Sequence, residues 1–61
     1  MNTLWFVRLY SHPANQWARF LCTAPSSEDA AKQTMDYMEQ GWKVRHLSRV
    51  CETPETIFME V

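Results

Sequence analysis

Residues 3–23, TLWFVRLYSHPANQWARFLCT, decide the fold, because two strand-like segments flank a short turn. Residues 3–10 and 16–23 are rich in β-branched and aromatic side chains, which favour strands. Residues 11–15 have turn composition, and Pro13 has no N–H group to donate to a sheet. So short a connection predicts that the two segments pair as an antiparallel hairpin.

The chain after the hairpin predicts one helix. Ser26 or Ser27 caps its first N–H groups, and Glu28 and Asp29 suit the positive end of the helix dipole. We expect the helix to run to about residue 40, with Gly41 as the C′ residue, since glycine turns left-handed without steric cost. An apolar stripe at helical spacing is predicted to face a sheet. It consists of Ala31, Met35, Met38 and Trp42, with Ala30 and Thr34 alongside.

Two further strands are predicted after the helix. Residues 42–50 (WKVRHLSRV) alternate in polarity, and residues 56–61 (TIFMEV) follow a polar turn. The order β-β-α-β-β predicts an α+β fold, in which a mainly antiparallel sheet of three to four strands carries one helix on one face. At 61 residues, the whole chain (1–61) is expected to form one small domain.

Strand alternation divides the predicted sheet into two faces. The face under the helix is expected to hold Trp5, Val7, Leu9, Ala18, Phe20, Cys22, Trp42, Val44, His46, Ser48 and Val50. The opposite face is expected to hold Leu4, Phe6, Arg8, Tyr10, Trp17, Arg19, Leu21, Lys43, Arg45, Leu47 and Arg49. Five of the chain's six basic residues fall on this second face, and four of its seven acids fall on the helix. The net charge of −1 therefore conceals a basic, aromatic sheet face opposed to an acidic helix.

Composition and motifs exclude several classes of protein. No apolar run approaches the 18 residues that a membrane-spanning helix needs, and the first residues lack the features of a signal peptide, so a cytoplasmic protein is expected. Two cysteines are too few for a disulfide scaffold, and both are expected to be reduced and largely packed.

Catalytic, cofactor-binding and metal-binding signatures are absent from the sequence, so no enzyme is predicted and no cofactor is expected. A single glycine makes a phosphate-cradling loop implausible. The candidate ligands His12, Cys22, His46 and Cys51 lack the spacings of a zinc site. Alternation is also expected to put His46 and Cys51 on opposite faces.

The basic, aromatic face predicts a binding surface, because arginine and aromatic side chains are enriched at interaction hot spots. We predict a non-enzymatic protein-binding module that inhibits or regulates a larger protein or ribonucleoprotein complex. Its predicted contact residues are Arg8, Tyr10, Trp17, Arg19, Lys43, Arg45 and Arg49. The acidic helix is a second predicted docking surface, towards a basic nucleic-acid channel. Its contact residues are Glu28, Asp29, Asp36 and Glu39.

Three other interpretations of the same face stay open at this stage. Exposed aromatics and arginines on a sheet also bind single-stranded nucleic acid, although a pI near 6.0 is a poor electrostatic match for phosphates. The face or a free edge strand is also suited to self-association, which predicts a monomer or a weak homodimer. Finally, an ordinary solvated sheet face often carries basic residues.

Four features of the chain are its short length, its β-β-α-β-β order, its start on a strand (residues 1–5, MNTLW) and its lack of a catalytic motif. In these features the chain resembles a class of small accessory proteins. These are encoded by phages and mobile elements, and the anti-CRISPR proteins are among them. The resemblance extends over the whole chain but includes no shared residue motif, so it transfers no functional residue. It implies a stoichiometric inhibitor that docks on a larger host complex, such as a CRISPR-type defence complex, and blocks a binding surface.

Overall fold

The two apolar segments on either side of Pro13 pair as an antiparallel hairpin, as predicted, and form the centre of a four-stranded sheet. The computed structural model describes all residues from 1 to 61. Its elements in chain order are β1 (Asn2–Ser11), β2 (Gln16–Ala24), α1 (Ser27–Tyr37), β3 (Trp42–Thr53) and β4 (Phe58–Glu60). The strands lie in the order β3-β1-β2-β4, all antiparallel, which confirms the predicted α+β fold and leaves β3 and β4 at the edges.

The turn between β1 and β2 is held by side chains at its two ends. Asn15 adopts a left-handed conformation with φ of 52°, which asparagine tolerates better than most residues. The Tyr10 hydroxyl donates a hydrogen bond to Asn15 Oδ1, and the Ala14 N–H group donates to Ser11 Oγ at 3.3 Å. These contacts fix the position of Tyr10 at the end of the sheet.

One face of the sheet, here called the covered face, packs against α1. Its register places Val7 opposite Phe20 and Leu9 opposite Ala18, and all four side chains are buried. The remaining core residues are Cys22, Ala24 and Ala30. Full burial of a Leu, Val or Phe side chain is worth about 1.5–3 kcal/mol each, so this small cluster carries much of the stability of the domain.

Most of the predicted apolar stripe packs on the sheet as expected, with Met35 as the exception. Ala30 and Thr34 are fully buried, whereas Met35 is 44% exposed, so the prediction for Met35 is wrong. The Thr34 hydroxyl lies 3.1 Å from the carbonyl oxygen of Ala30 and can donate back to the helix, so it is buried without an unmet polar group. Ser26 caps the helix as predicted, because its Oγ accepts a hydrogen bond from the Asp29 N–H group at 3.2 Å.

The helix also ends earlier than predicted, and Gly41 is not its C′ residue. Helix α1 stops at Tyr37 because Met38 turns into an extended conformation, and the Met38 side chain packs against the core. Gly41, with φ of 101°, lies in the next turn, where an added Cβ would meet Pro13 Cγ at 3.1 Å. Glycine is therefore required at this position, where two turns of the chain touch.

Strand β3 contains two β-bulges that the alternation pattern did not anticipate. Arg8 lies opposite His46 and Leu9 lies opposite Val44, so Arg45 has no partner on β1. In the same way, Val50 is left out between the partners of Leu4 and Trp5. Each extra residue reverses the alternation of everything that follows it.

The first bulge moves four side chains to the face opposite the predicted one. Leu47 lies on the covered face and packs against the core, whereas His46 and Ser48 lie on the other face. Arg49, opposite Trp5, lies on the covered side. The predicted faces of these four residues are therefore wrong, because alternation assumes an unbroken ladder.

Strand β4 confirms the predicted fourth strand, although it begins at Phe58 and spans only three residues. Phe58 lies opposite Cys22 on the covered face. Its ring centroid lies 5.5 Å from that of Phe20 and 5.2 Å from that of Tyr37. This aromatic cluster joins the end of α1 to the edge of the sheet, which holds the short strand in place.

Candidate functional site

The face of the sheet opposite α1, here called the bare face, is covered by no helix and divides into two halves. The apolar half consists of Phe6, Leu21 and Met59, which lie side by side on β1, β2 and β4. The basic half lies closer to the β1–β2 turn and consists of Arg8, Tyr10, Trp17, Arg19, Lys43, Arg45 and His46.

The apolar half leaves three large side chains in contact with solvent. Phe6 and Leu21 are directly opposite each other and half-buried, and Met59, opposite Leu21, is 51% exposed. A row of adjacent apolar side chains on an uncovered sheet face is more informative than the same residues scattered singly. It marks an area that a partner can cover favourably.

Trp17 is the aromatic centre of the basic half. It is 56% exposed, and its ring centroid lies 4.7 Å from that of Tyr10, at an angle of 51°. The Arg8 guanidinium carbon lies 5.1 Å from the Trp17 ring centroid, within cation–π distance. Arg8 and Tyr10 therefore hold a large, exposed indole in a defined position.

The positive charges of the basic half have no counter-charges. Arg8 lies directly opposite Arg19, an arrangement of like charges that destabilises a sheet. The only two ion pairs in the structure lie elsewhere, between Lys32 and Asp36 and between Arg49 and Glu52. The register places no acidic residue on the bare face, so all of its cations face solvent unpaired.

Six of the seven predicted contact residues lie together on the bare face, and Arg49 does not. Arg49 lies on the covered side, where its guanidinium is 3.3 Å from Glu52. The Glu52 carboxylate also accepts a hydrogen bond from the Thr3 hydroxyl at 3.0 Å. Residues three apart on a regular strand point to opposite faces, and Arg49 meets Glu52 because the bulge at Val50 lies between them. The placement of Arg49 on the sheet face is therefore wrong.

His46 belongs to the bare face, and alternation alone missed it. Its ring centroid lies 6.0 Å from that of Phe6, at the border of the two halves. A signal for this placement is present in the sequence. The apolar residues Trp42, Val44 and Leu47 are spaced by two and then by three, and the step of three requires a bulge if all three side chains face one core.

Three of the four predicted acidic contact residues, Glu28, Asp29 and Asp36, lie on α1 and are exposed, whereas Glu39 lies beyond the end of the helix at Tyr37, so its predicted place on the helix is wrong. Two of the carboxylates have local structural roles. Asp29 accepts a hydrogen bond from the Ser26 hydroxyl at 3.0 Å, within the helix cap. Asp36 pairs with Lys32 at 3.2 Å. Glu28 and Glu39 are exposed and make no ion pair. This surface is thus less available than the bare face, although its role in docking stays a prediction.

The two cysteines differ in their environments. Cys22 is fully buried, and burial raises the pKa of its thiol. Cys51 is exposed, so the prediction that it is packed is wrong. His46 and Cys51 lie on the same face, against prediction, but their β1 partners Arg8 and Leu4 are four residues apart, about 13 Å along a strand. The structure holds no group of three or more His, Cys, Asp or Glu side chains that would bind a metal.

No family model, curated protein or solved structure matches this chain. None of its helical structure has the length and apolar character needed to cross a bilayer. Its function is therefore inferred from its own surface.

Proposed function

We propose that this chain is a non-enzymatic protein-binding module, which docks through its bare face onto an acidic surface of a larger complex and regulates or inhibits that complex. The observation that supports the proposal is the composition of the bare face. It joins a row of uncovered apolar side chains to a cluster of unpaired cations around Trp17, with no acid among them.

The apolar half favours a protein as the partner. Protein interfaces combine an apolar core with charged residues around it, and charge complementarity steers the partner into register. Phe6, Leu21 and Met59 supply such an apolar area, for which a phosphate backbone offers no counterpart. Arg8 and Arg19 beside this area repel each other until a negative partner surface lies between them.

Trp17 is the proposed anchor. Tryptophan, tyrosine and arginine are the residue types that dominate binding energy at hot spots. Here Arg8 and Tyr10 already contact the exposed indole, so little side-chain entropy is lost when a partner packs on it.

The proposal is tested by a co-precipitation in which charge is removed from one face at a time. The tagged chain, the Arg8→Gln/Arg19→Gln variant and a matched Lys32→Gln/Arg49→Gln variant are used as baits in lysate of the cells that produce the protein. Both variants lose two positive charges, but only the first loses them from the bare face. We expect the parent chain and the matched variant to retain one partner protein at moderate salt. The Arg8→Gln/Arg19→Gln variant should lose that protein.

A partner retained equally by both variants would contradict the assignment of the bare face. The acidic helix would then be the next surface to test, with Glu28→Gln/Glu39→Gln. The resemblance to phage accessory proteins favours a nucleic-acid-handling complex, of the CRISPR type, as the larger partner. The bare-face proposal does not depend on that partner class.

Single-stranded nucleic acid is the second candidate ligand, supported by the position of Tyr10 and Trp17 among unpaired cations. Aromatic rings beside basic groups stack bases and neutralise phosphates. Titration with a single-stranded oligonucleotide at two salt concentrations separates the candidates, since each phosphate contact releases counterions and makes binding salt-dependent. Micromolar affinity that falls steeply with salt would favour this second candidate over a protein partner.

Self-association is disfavoured by two features of the sheet. Face-to-face contact would bring Arg8 and Arg19 against their own copies, and the exposed edge of β3 is interrupted by the bulges at Arg45 and Val50. We therefore propose that the free protein is a monomer. Sedimentation velocity over a wide concentration range measures this, and a concentration-dependent dimer would contradict it.

A further inference from the structure

The turn end of the bare face contains a cavity that the sequence did not predict. It is open to solvent, has a volume of about 300 Å³, and is lined by Tyr10, His12, Gly41, Lys43 and Arg45. These residues come from the end of β1, the two turns and the start of β3, so the cavity exists only in the folded chain.

Two backbone features shape the cavity. The absence of a side chain at Gly41 lets the turn before β3 pack against Pro13 of the hairpin turn. Arg45 is the extra residue of the first bulge, and bulges commonly re-aim a side chain. Its guanidinium carbon lies 6.0 Å from the Tyr10 ring centroid, which brings the cation to the cavity wall.

The lining is rich in hydrogen-bond donors and contains no carboxylate. Lys43 and Arg45 are both basic, and neither makes an ion pair. The His12 ring supplies a further N–H group. The Tyr10 hydroxyl is committed to Asn15, so the donors that are free to bind a ligand are those of the two cations and the imidazole.

We propose that this cavity binds a phosphate monoester on a side chain of the protein partner, an assignment that rests on the proposed function. A phosphate monoester carries nearly two negative charges and three terminal oxygens, and arginine binds such groups through paired hydrogen bonds. Two adjacent cations match that charge better than the single charge of a carboxylate. The volume also leaves room for the atoms that join the phosphate to the partner.

The test uses the full-length, ¹⁵N-labelled chain and needs no partner. Inorganic phosphate, and acetate as the carboxylate probe, are titrated at constant ionic strength while amide and Arg Nε shifts are followed. Saturable shifts confined to Gly41, Lys43, Arg45 and His12 are expected with phosphate, and weaker binding with acetate. Lys43→Gln/Arg45→Gln should weaken phosphate binding by about tenfold or more, since bonds to charged groups contribute this much. The matched Lys32→Gln/Arg49→Gln variant should bind as the parent does.

Shifts that spread evenly over the cations and never saturate, or binding that survives Lys43→Gln/Arg45→Gln in a variant with a folded spectrum, would overturn the phosphate site. Either result would leave the protein-binding proposal intact, because the co-precipitation tests Arg8 and Arg19 instead. A second arm compares a phosphoserine peptide with a 5′-phosphorylated oligonucleotide of equal charge. Tighter binding of the peptide supports the assignment, and tighter binding of the oligonucleotide overturns it.

Discussion

The two faces of the sheet are built from alternate residues of the same strands, yet one is buried and apolar and the other is exposed and basic. On the covered face, Val7, Leu9 and Phe20 are buried against α1 with almost no exposed surface. On the bare face, their immediate neighbours Arg8 and Arg19 lie opposite each other without a counter-charge. In a chain of 61 residues, one face therefore provides the apolar core and the other is left uncovered.

The bare face is kept at some cost in stability. Like charges that are directly opposite destabilise an antiparallel pair, and a domain of this size has only about 3–5 kcal/mol to lose. A domain shaped by stability alone would place an opposite charge at position 8 or 19. The comparison of the faces thus supports a binding role for the one that stability does not explain.

The largest expected difference between the two faces is in the reaction rates of their thiols, since Cys22 lies on the covered face and Cys51 on the bare face. Cys51 should react with a disulfide reagent at the rate of a free thiol, whereas Cys22 should react about a thousandfold more slowly, since access to it requires the core to open. Absorbance kinetics at neutral pH measure both rates. The Cys51→Ser variant identifies the slow phase, and a fast reaction of Cys22 in that variant would show that the covered face opens readily.

The next largest difference is expected in the free energy of unfolding, when a leucine on each face is replaced by alanine. Leu9→Ala removes a fully buried side chain and should lower the free energy of unfolding by about 3 kcal/mol, enough to unfold much of the protein. Leu21→Ala, on the bare face, should cost about 1 kcal/mol, because that side chain is already half-exposed. Urea denaturation followed by circular dichroism gives both values. Equal losses would mean that the bare face contributes to the core.

A smaller effect is expected from pH, and it again belongs to the covered face alone. Burial raises the pKa of the Cys22 thiol above its ordinary value of 9.0, so above this pH the unfolded state loses a proton that the folded state keeps. The free energy of unfolding should therefore fall as pH rises above 9, by at most about 1.4 kcal/mol per pH unit. Denaturation of parent, Cys22→Ala and Cys51→Ser proteins at pH 7.5 to 10 measures this slope. Only Cys22→Ala should lack this component, and the same slope in all three would exclude Cys22 as its source.

The smallest effect is expected from the two ion pairs. Both pairs are largely exposed to solvent, so Lys32→Gln and Arg49→Gln should each change the free energy of unfolding by no more than about 0.5 kcal/mol. Urea denaturation at low and high salt tests this. A much larger loss for Arg49→Gln would mean that its contact with Glu52 also fixes the second bulge.

The strands and the hairpin could be predicted because their signals are local. The composition of residues 11–15 and the apolar runs beside them determine a turn and two strands without reference to the rest of the chain. Six of the seven predicted contact residues lie on the face that the alternation of the strands assigns to them. The prediction failed at Arg49, where the ladder is interrupted.

The bulges and the helix end could not be predicted in the same way, because tertiary packing decides them. Val44 and Leu47 both pack against the core only because Arg45, between them, leaves the ladder. Met38 leaves the helix to pack on the same core. The cavity at the turn end is lined by Arg45, the extra residue of the first bulge, so the alternation of single strands does not predict it either.

The position of β1 between β2 and β3 has a consequence for the order in which the chain folds. Ser11 pairs with Gln16 across the hairpin turn and with Trp42 on the far side of the helix. The second pairing closes a loop about sixfold longer, which costs about 1.6 kcal/mol more in chain entropy. The hairpin therefore has the kinetic advantage. Until β3 pairs, β1 keeps an open edge, and Val7 and Leu9 of β1 and Phe20 of β2 stay uncovered. An open edge beside uncovered apolar side chains favours aggregation, so we expect that risk to be greatest before β3 pairs.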